Sequence, residues 1–399
     1  HLIDSLTMNR DSSIAELLSP SDGKVDLLII AGEHSGDELA AHMVQNLLEE
    51  NPHLKIAALG GDRLKESGVE LVYNMVDHSV MGLVDVIKNY SFLKSLFDNT
   101  LSWIKEHQPR HICFVDYPGF NLRLARALKE LRLSQKGGGE IGLHYYVSPQ
   151  IWAWKSKRRF KMAKTLDSLG VLFPFEKECY SDTDLPVTYL GHPFAEKNYP
   201  LPVEYDPDGK ILLLPGSRIK SIEMIAPIIF EAFQRISAKD SSLSAVILYP
   251  SQKVQISLEA ILRSYPTLTD KVSLVKNDST KLKVKGAIMS SGTISLSMAL
   301  ASVPGVIIYK LSQLNYWLLR TLVKVRFIGL ANLILDQSIY PELLQKRAKV
   351  ENIVNELTPY LNKQESIDDF MDASNLLRYK LIDDREMSAS EWVLDKISN

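Results

Sequence analysis

The stretch Ile211-Leu-Leu-Leu-Pro-Gly-Ser-Arg218 and, further on, Ala287-Ile-Met-Ser-Ser-Gly-Thr293 decide the fold, because each runs an apolar strand into a turn of small residues. In the first, the apolar run stops at Pro215-Gly216. Ser217 then offers a hydroxyl and Arg218 a planar fork of donors, a combination suited to a diphosphate. In the second, Ala287 to Met289 reads as a short buried strand, Ser291-Gly292-Thr293 as a turn, and Ile294 to Leu300 as a helix whose N-terminal amides point at the same anion. A nucleoside diphosphate in the C-terminal half is the ligand this pattern implies.

Outward from there, the rhythm repeats. Val25–Ile30, Lys55–Leu59, His111–Val115, Leu143–Val147 and Leu169–Phe173 are short runs rich in Ile, Val and Phe, separated by helix-length segments. The same alternation resumes at Ile211–Leu214 and continues through Ala245–Tyr249, Val272–Val275, Ala287–Met289 and Val306–Tyr309. Apolar runs alternating with amphipathic segments predict parallel strands and crossover helices, here in two α/β domains. Between them, 191–209 holds four prolines and little periodicity, so it reads as a linker with the cleft beside it. The expected division is an extension at 1–24, a first domain at 25–190, a second at 210–375, and a terminal segment, 376–399, packing back on the first.

With 399 residues the chain exceeds what one core usually supports, which agrees with two domains. A formal net charge of −2 supplies no basic field for nucleic acid. The two cysteines, Cys113 and Cys179, show no zinc spacing, and Cys113 lies in an apolar run, which favours a reducing cytoplasm. Residues 8–24 lack the apolar core of a signal peptide. The uncharged segment Gly286 to Tyr309 is long enough to span a bilayer, but its five serines and Pro304 make it strand-helix-strand.

Several constellations carry chemistry. Ala31-Gly-Glu-His-Ser-Gly-Asp-Glu38 turns from the first strand into a helix, yet it is not a dinucleotide fingerprint. Its acids would repel a pyrophosphate, and with Ser35 they suit sugar hydroxyls; the alternative is that Asp37 and Glu38 merely complement a helix N-terminus. Asp116, at the C-terminal end of a buried strand, can take a proton from an attacking hydroxyl, with Glu33 the next candidate base, or else it caps a helix starting near Asn121. Trp152 and Trp154 are followed by six basic residues, Lys155, Lys157, Arg158, Arg159, Lys161 and Lys164. That aromatic-basic helix suits an anionic headgroup or a phosphate; a solvated face with buried tryptophans is the alternative. Met81–Asn99 carries a wide apolar stripe (Leu83, Val84, Ile87, Leu93 and Leu96 among others), consistent with shallow membrane insertion or with ordinary core.

The blocks Ala31–Asp37, Tyr146–Pro149, Ile151–Arg158, Phe173–Lys177, Gly191–Pro193, Leu214–Arg218, Ser291–Thr293 and Ala331–Leu335 occur in this order over about Val25 to Gln345. Together they resemble the lipid-A-disaccharide synthases. The resemblance implies an α/β GT-B architecture of two Rossmann-like domains facing a cleft, and a peripheral enzyme on the cytoplasmic face of the inner membrane, allowing a homodimer. It implies transfer of 2,3-diacylglucosamine from its UDP derivative to 2,3-diacylglucosamine 1-phosphate, giving UDP and a β-1,6 disaccharide.

It further implies Asp116 as general base toward the acceptor hydroxyl, and Arg218 with Ser291, Gly292 and Thr293 as the UDP diphosphate site. Ser217, Ser297, Asn332 and Gln345 join the donor pocket. Ser35, Asp37, Trp154, Lys155, Arg158 and Met224, with the 81–99 stripe, serve the acceptor and the membrane. UDP-sugar is then a substrate, and no metal or other cofactor is expected. The chain departs from the family pattern at Ser221 and Ser297, where the family has glutamates, and at Gly119, where it has aspartate. A serine cannot supply the charged bidentate acceptor that a ribose diol prefers. Two other readings therefore accompany the transferase: a UDP-N-acetylglucosamine 2-epimerase-like enzyme, and a binding protein whose catalysis has decayed.

Overall fold

In the computed structural model, which describes residues 15–76, 86–277, 281–311 and 326–399 (backbone alone for 86–89), the chain forms two compact units. The first comprises residues up to Pro193 together with Arg385–Asn399; the second is Phe194–Asp384.

The first unit runs β1 (Leu27–Ala31), α1 (His34–Glu50), β2 (Ile56–Gly60), α2 (Asp62–Glu66), β3 (Glu70–Asn74), α3 (Val86–His107), β4 (His111–Val115), α4 (Pro118–Glu130), β5 (Gly142–Tyr146), α5 (Arg158–Thr165), β6 (Ser168–Val171) and β7 (Val187–Tyr189). All strand pairs are parallel, in the order β3-β2-β1-β4-β5-β6-β7. Every residue of β1, β2, β4 and β5 is buried, as a parallel sheet covered on both faces requires. Helix α4 shows how coverage is written in sequence. Phe120, Leu124, Ala125 and Leu128 recur along one face and pack on the sheet, and Pro118 opens the helix where its missing N–H costs nothing.

The second unit runs β8 (Val203–Leu214), α6 (Ile219–Lys239), β9 (Ala245–Tyr249), α7 (Gln252–Leu262), β10 (Val272–Lys276), β11 (Leu282–Met289), α8 (Ile294–Leu300), β12 (Gly305–Tyr309), α9 (Leu330–Leu335), β13 (Glu342–Leu344), α10 (Val350–Asn362) and α11 (Gln364–Ile382). Its sheet, also parallel, has the order β10-β9-β8-β11-β12-β13. Here the structure departs from the expected boundaries. Strand β8 begins inside the proline-rich interval, with Val203 paired to Leu282, and Pro207 falls in the stretch where the β8–β11 register shifts, so its missing N–H breaks no ladder bond. Helix α11 runs past 375, and the chain leaves the second unit only after Asp384.

The C-terminal helix (Ala389–Ser398) packs on α1 and β6. Trp392, fully buried, sets its ring edge-on to His144 at 6.5 Å and tilted to Tyr146 at 6.2 Å. Just before the helix, Glu386 pairs with Lys177 at 2.8 Å and accepts the Tyr189 amide at 2.6 Å. Beneath Trp392, His111 Nδ1 lies 3.0 Å from His144 Nε2, and His144 Nδ1 lies 2.6 Å from Ser168 Oγ, a polar chain across three adjacent strands.

Burial, then the nearby His111 and Lys396, push the His144 imidazole from 6.5 down to about 3. The unfolded chain therefore binds this proton at a pH where the folded one refuses it, so stability present above pH 6.5 falls as pH drops toward 3. At pH 5 the loss is on the order of 2 kcal/mol. Melting temperatures followed from pH 7 to 4 are expected to fall steeply, and His144→Asn, less stable at pH 7, is expected to have a flatter slope; parallel slopes would place the acid sensitivity elsewhere.

Candidate functional site

In open parallel sheets, ligands collect at the carboxyl ends of the strands where the order reverses. The first sheet reverses between β1 and β4 and the second between β8 and β11. Glu33 follows β1 and Asp116 follows β4; the Pro215–Arg218 turn follows β8 and the Ser290–Thr293 turn follows β11. The groups singled out in the sequence thus stand at the two switch points, one set in each unit.

In the first unit, Asp116 and Tyr117 both take the left-handed conformation (φ 47° and 50°), a cost of about 1–3 kcal/mol each for non-glycine residues. Specific bonds hold them there. The Asp116 carbonyl accepts the Tyr145 hydroxyl at 2.6 Å and Asn121 Nδ2 at 2.8 Å, while its amide donates to Tyr146 O at 2.9 Å. Gly32 completes the fit, since a Cβ at that position would run into the Tyr117 ring. A third strained residue, the β-branched Val147 (φ 68°), follows β5. Asp116 is not a helix cap: α4 begins at Pro118, three residues earlier than expected, and Tyr117 holds the N-cap position.

This placement tunes the carboxyl. Burial, and next the negative charge of Glu33, raise Asp116 from 3.8 to about 6, against the opposing Tyr117 amide. A base poised near the working pH is what general-base chemistry requires. The tuning weighs on folding: because the folded carboxyl keeps its proton to higher pH, stability falls by on the order of 3 kcal/mol as pH rises from about 4 to about 6. Nearby, Glu176 is fully buried and lifted to about 8 by burial, with its Oε1 accepting the Phe173 amide at 3.1 Å. Glu176, Tyr145 and Asn121 are functional neighbours that the sequence reading did not assign. The Glu three residues after Phe173, inside the turn that Pro174 opens, was the available signal for Glu176.

In the second unit, Gly216 (φ 108°) lets the first turn fold, and a Cβ there would sit 3.2 Å from Ser290 Oγ. Ser290 N donates to Leu214 O at 3.0 Å, so the two turns are joined. Ser217, Arg218, Ser291 and Thr293 are exposed on them, and Arg218 is the N-cap residue of α6, whose first amides have no helical partner. Gly292 is buried hard against the Ile328 carbonyl, and Ser295 Oγ donates to its carbonyl at 2.6 Å. Ser221 stands half-buried in the first turn of α6, exposed Met224 one turn on, and Ser297 is buried on α8.

Several expected contacts are otherwise engaged. Asp37 is buried, and its oxygens accept the amides of Gly61, Arg63 and Leu64, fastening α2 to α1 rather than facing a sugar. Asn332 spends both ends of its amide on the Tyr340 backbone and also donates to Glu342, whose carboxylate takes the amides of Ile328 and Gly329 ahead of α9. Gln345 is matched to both backbone groups of Leu311. On α3, Leu96 is 1% exposed because it shares a stripe with Thr100, Trp103 and Ile104 that faces the core; Leu93 is 40% and Tyr90 69% exposed on the other side. Leu83, Val84 and the Ile87 side chain lie outside the described residues. The aromatic-basic segment is helical only from Arg158; Trp154 and Lys155 precede it in turns, with the Lys155 ammonium 4.6 Å from the exposed Trp154 ring, while Ser35 and Glu33 are exposed at the start of α1.

Comparison with known proteins fits this geometry. At 12% identity and a TM-score of 0.53, covering 90% of this chain and 99% of the other, the fold is that of a UDP-GlcNAc 2-epimerase from Neisseria meningitidis solved with UDP-GlcNAc. The glycosyltransferase of kitacinnamycin shares it at 9% identity and a TM-score of 0.59, covering 94% and 99%. Both likenesses are of fold alone. In sequence, the chain is 36% identical over 349 residues to the lipid-A-disaccharide synthase of Coxiella burnetii (strain Dugway 5J108-111), covering 84% of this chain and 89% of that one. The model of the lipid-A-disaccharide synthetase family matches residues 27–397, nearly the whole of both units, and the chain is therefore a glycosyltransferase that belongs to that family.

Proposed function

We propose that the chain transfers 2,3-diacylglucosamine from UDP-2,3-diacylglucosamine to the 6-hydroxyl of 2,3-diacylglucosamine 1-phosphate, with inversion, giving the β-1,6 disaccharide and UDP. The observation that carries this is the carboxyl of Asp116, raised to about 6 at the switch point of the first sheet. Asp116 takes the proton of the attacking hydroxyl. Glu33 keeps the base weakly acidic by its charge and offers a carboxylate to sugar hydroxyls. On the donor side, Arg218, Ser217 and the first amides of α6 receive the diphosphate and the charge that develops as UDP departs, so the reading requires no metal ion. Serines at 221 and 297 leave the ribose without the family's charged acceptors, and Glu223, exposed at the start of the second turn of α6, is the acid assigned to one of those roles.

Among the described residues no helix is long and apolar enough to cross a membrane. The transferase reading makes the enzyme peripheral, at the cytoplasmic face of the inner membrane, with Tyr90 and Leu93 meeting lipid.

Four outcomes are expected. Asp116→Asn lowers kcat by roughly 10²–10⁴ and leaves UDP affinity within a few-fold, because the base acts on the acceptor. In the wild-type enzyme kcat/KM rises with pH through about 6 as Asp116 loses its proton, and Glu33→Gln moves that limb to lower pH by removing a charge that raises the base; a limb that stays in place would mean another group controls it. Arg218→Ala weakens UDP binding by about 1.5–3 kcal/mol, read by calorimetry, and unchanged affinity in a folded variant would take the nucleotide away from this loop. Finally, Tyr90→Ser with Leu93→Ser reduces vesicle co-sedimentation with little change in Tm, whereas Leu96→Ser lowers Tm and leaves vesicle binding alone. The reverse pattern would make α3 ordinary core.

A further inference from the structure

Between α4 and α5, within the first unit, lies a cavity of about 220 Å³. Its lining carries four cations, Arg123, Arg126, Arg158 and Lys161, and no acid; Leu122 and Met162 form part of an apolar floor. That concentration of charge stands out in a chain whose net charge is −2. Among the described residues none of the four has a carboxylate at ion-pair distance, whereas the neighbouring Arg159 is taken up by Asp182 in a paired contact at 2.8 Å. The Thr165 hydroxyl, also in the lining, is already bound to the Lys161 carbonyl at 2.7 Å, so the donors left free are the cationic ones. Pro118 and Gly119 bring the first turn of α4 to the rim, and Arg158 and Lys161 belong to the first turn of α5, so two positive helix ends add to the field.

We propose that this cavity is a phosphomonoester-binding site. Four uncompensated cations and two helix N-termini match a dianion with several acceptor oxygens, and arginine forks bind such a group in bidentate fashion. The apolar floor then receives the first atoms of whatever the phosphate esterifies. The volume excludes a nucleic acid strand. Gly119 keeps the site cationic: it is exposed, and a Cβ built on it meets nothing within 4 Å, so an acid at this position would enter the space without displacing anything. The cavity opens two residues along the chain from Asp116, and the Arg158 charge is felt by the Tyr145 hydroxyl that holds the Asp116 carbonyl. That the phosphate is the acceptor's, bound beside the base, rests on the transferase reading; that the cavity binds phosphomonoesters does not.

The test uses the full chain with no donor present. Calorimetric titration with glucosamine 1-phosphate is expected to show binding that glucosamine lacks, and Gly119→Asp, Arg126→Gln and Lys161→Gln are each expected to weaken it about tenfold or more, the effect of roughly 1.4 kcal/mol or more per lost charged contact. A parallel titration with UDP reports on the second unit and is expected to be unchanged in all three variants; a wild-type chain that bound glucosamine 1-phosphate but not UDP would sink the donor assignment and spare this one. Flotation with vesicles of phosphatidylcholine, with and without phosphatidic acid, separates the sources. Loss in Gly119→Asp confined to phosphatidic acid flotation assigns the site to a bilayer headgroup, and loss of glucosamine 1-phosphate binding assigns it to a soluble sugar phosphate. If Gly119→Asp matches the wild type in both measurements, the proposal is overturned.

Discussion

The carbonyl oxygen of Asp116 accepts two side-chain hydrogen bonds, from Tyr145 on the neighbouring strand and from Asn121 on the helix that follows, and the first unit's chemistry hangs on that junction. Two consecutive left-handed residues would relax toward ordinary turn geometry if nothing opposed them. The two bonds oppose them, and the space left by Gly32 lets the Tyr117 ring settle where the strain requires. The outcome is a carboxyl held at the sheet's switch point, half-buried and close enough to Glu33 to feel its charge. Position, strain and proton affinity are three aspects of one local structure.

Much of this was legible beforehand for a physical reason. Strands buried on both faces must be continuously apolar, and β1, β2, β4, β5, β9 and β12 announce themselves so. Three of the four edge strands do not. β3, β7 and β13 are short, half-exposed and mixed in composition, so Glu70-Leu-Val-Tyr-Asn74, Val187-Thr-Tyr189 and Glu342-Leu-Leu344 carry no pattern that separates them from loop. Prolines misled in the opposite direction at 203–209, where an irregular register tolerates what a regular ladder would refuse.

The site shows the same division. Residues on turns after buried strands, Asp116, Arg218 and Ser291 among them, could be placed because the strand end fixes where the turn must be. Polar residues inside the fold could not. Asp37, Asn332 and Gln345 look like ligand contacts in a one-dimensional reading, since nothing in sequence shows that backbone amides from distant segments will claim their oxygens. Leu96 is the apolar counterpart: a broad stripe names a helix but not which edge of it turns inward. Glu176 was hidden because burial, not spacing, makes it chemically unusual.

Because the first unit is built from both ends of the chain, the order of synthesis matters to it. When the ribosome has finished Pro193, the seven strands of that unit exist, but Trp392, Glu386 and the C-terminal helix do not. All of Phe194–Asp384 must emerge first, which at about 5–20 residues per second is a wait on the order of ten seconds or more. During that interval the His111–His144 pair and the face of Tyr146 lack their cover, so the nascent first unit is an incomplete core, while the second can close entirely from contiguous sequence. The residues that seal the first unit are thus translated only after the whole of the second, and termination ahead of Arg385 would leave a finished second unit tethered to an unsealed first one.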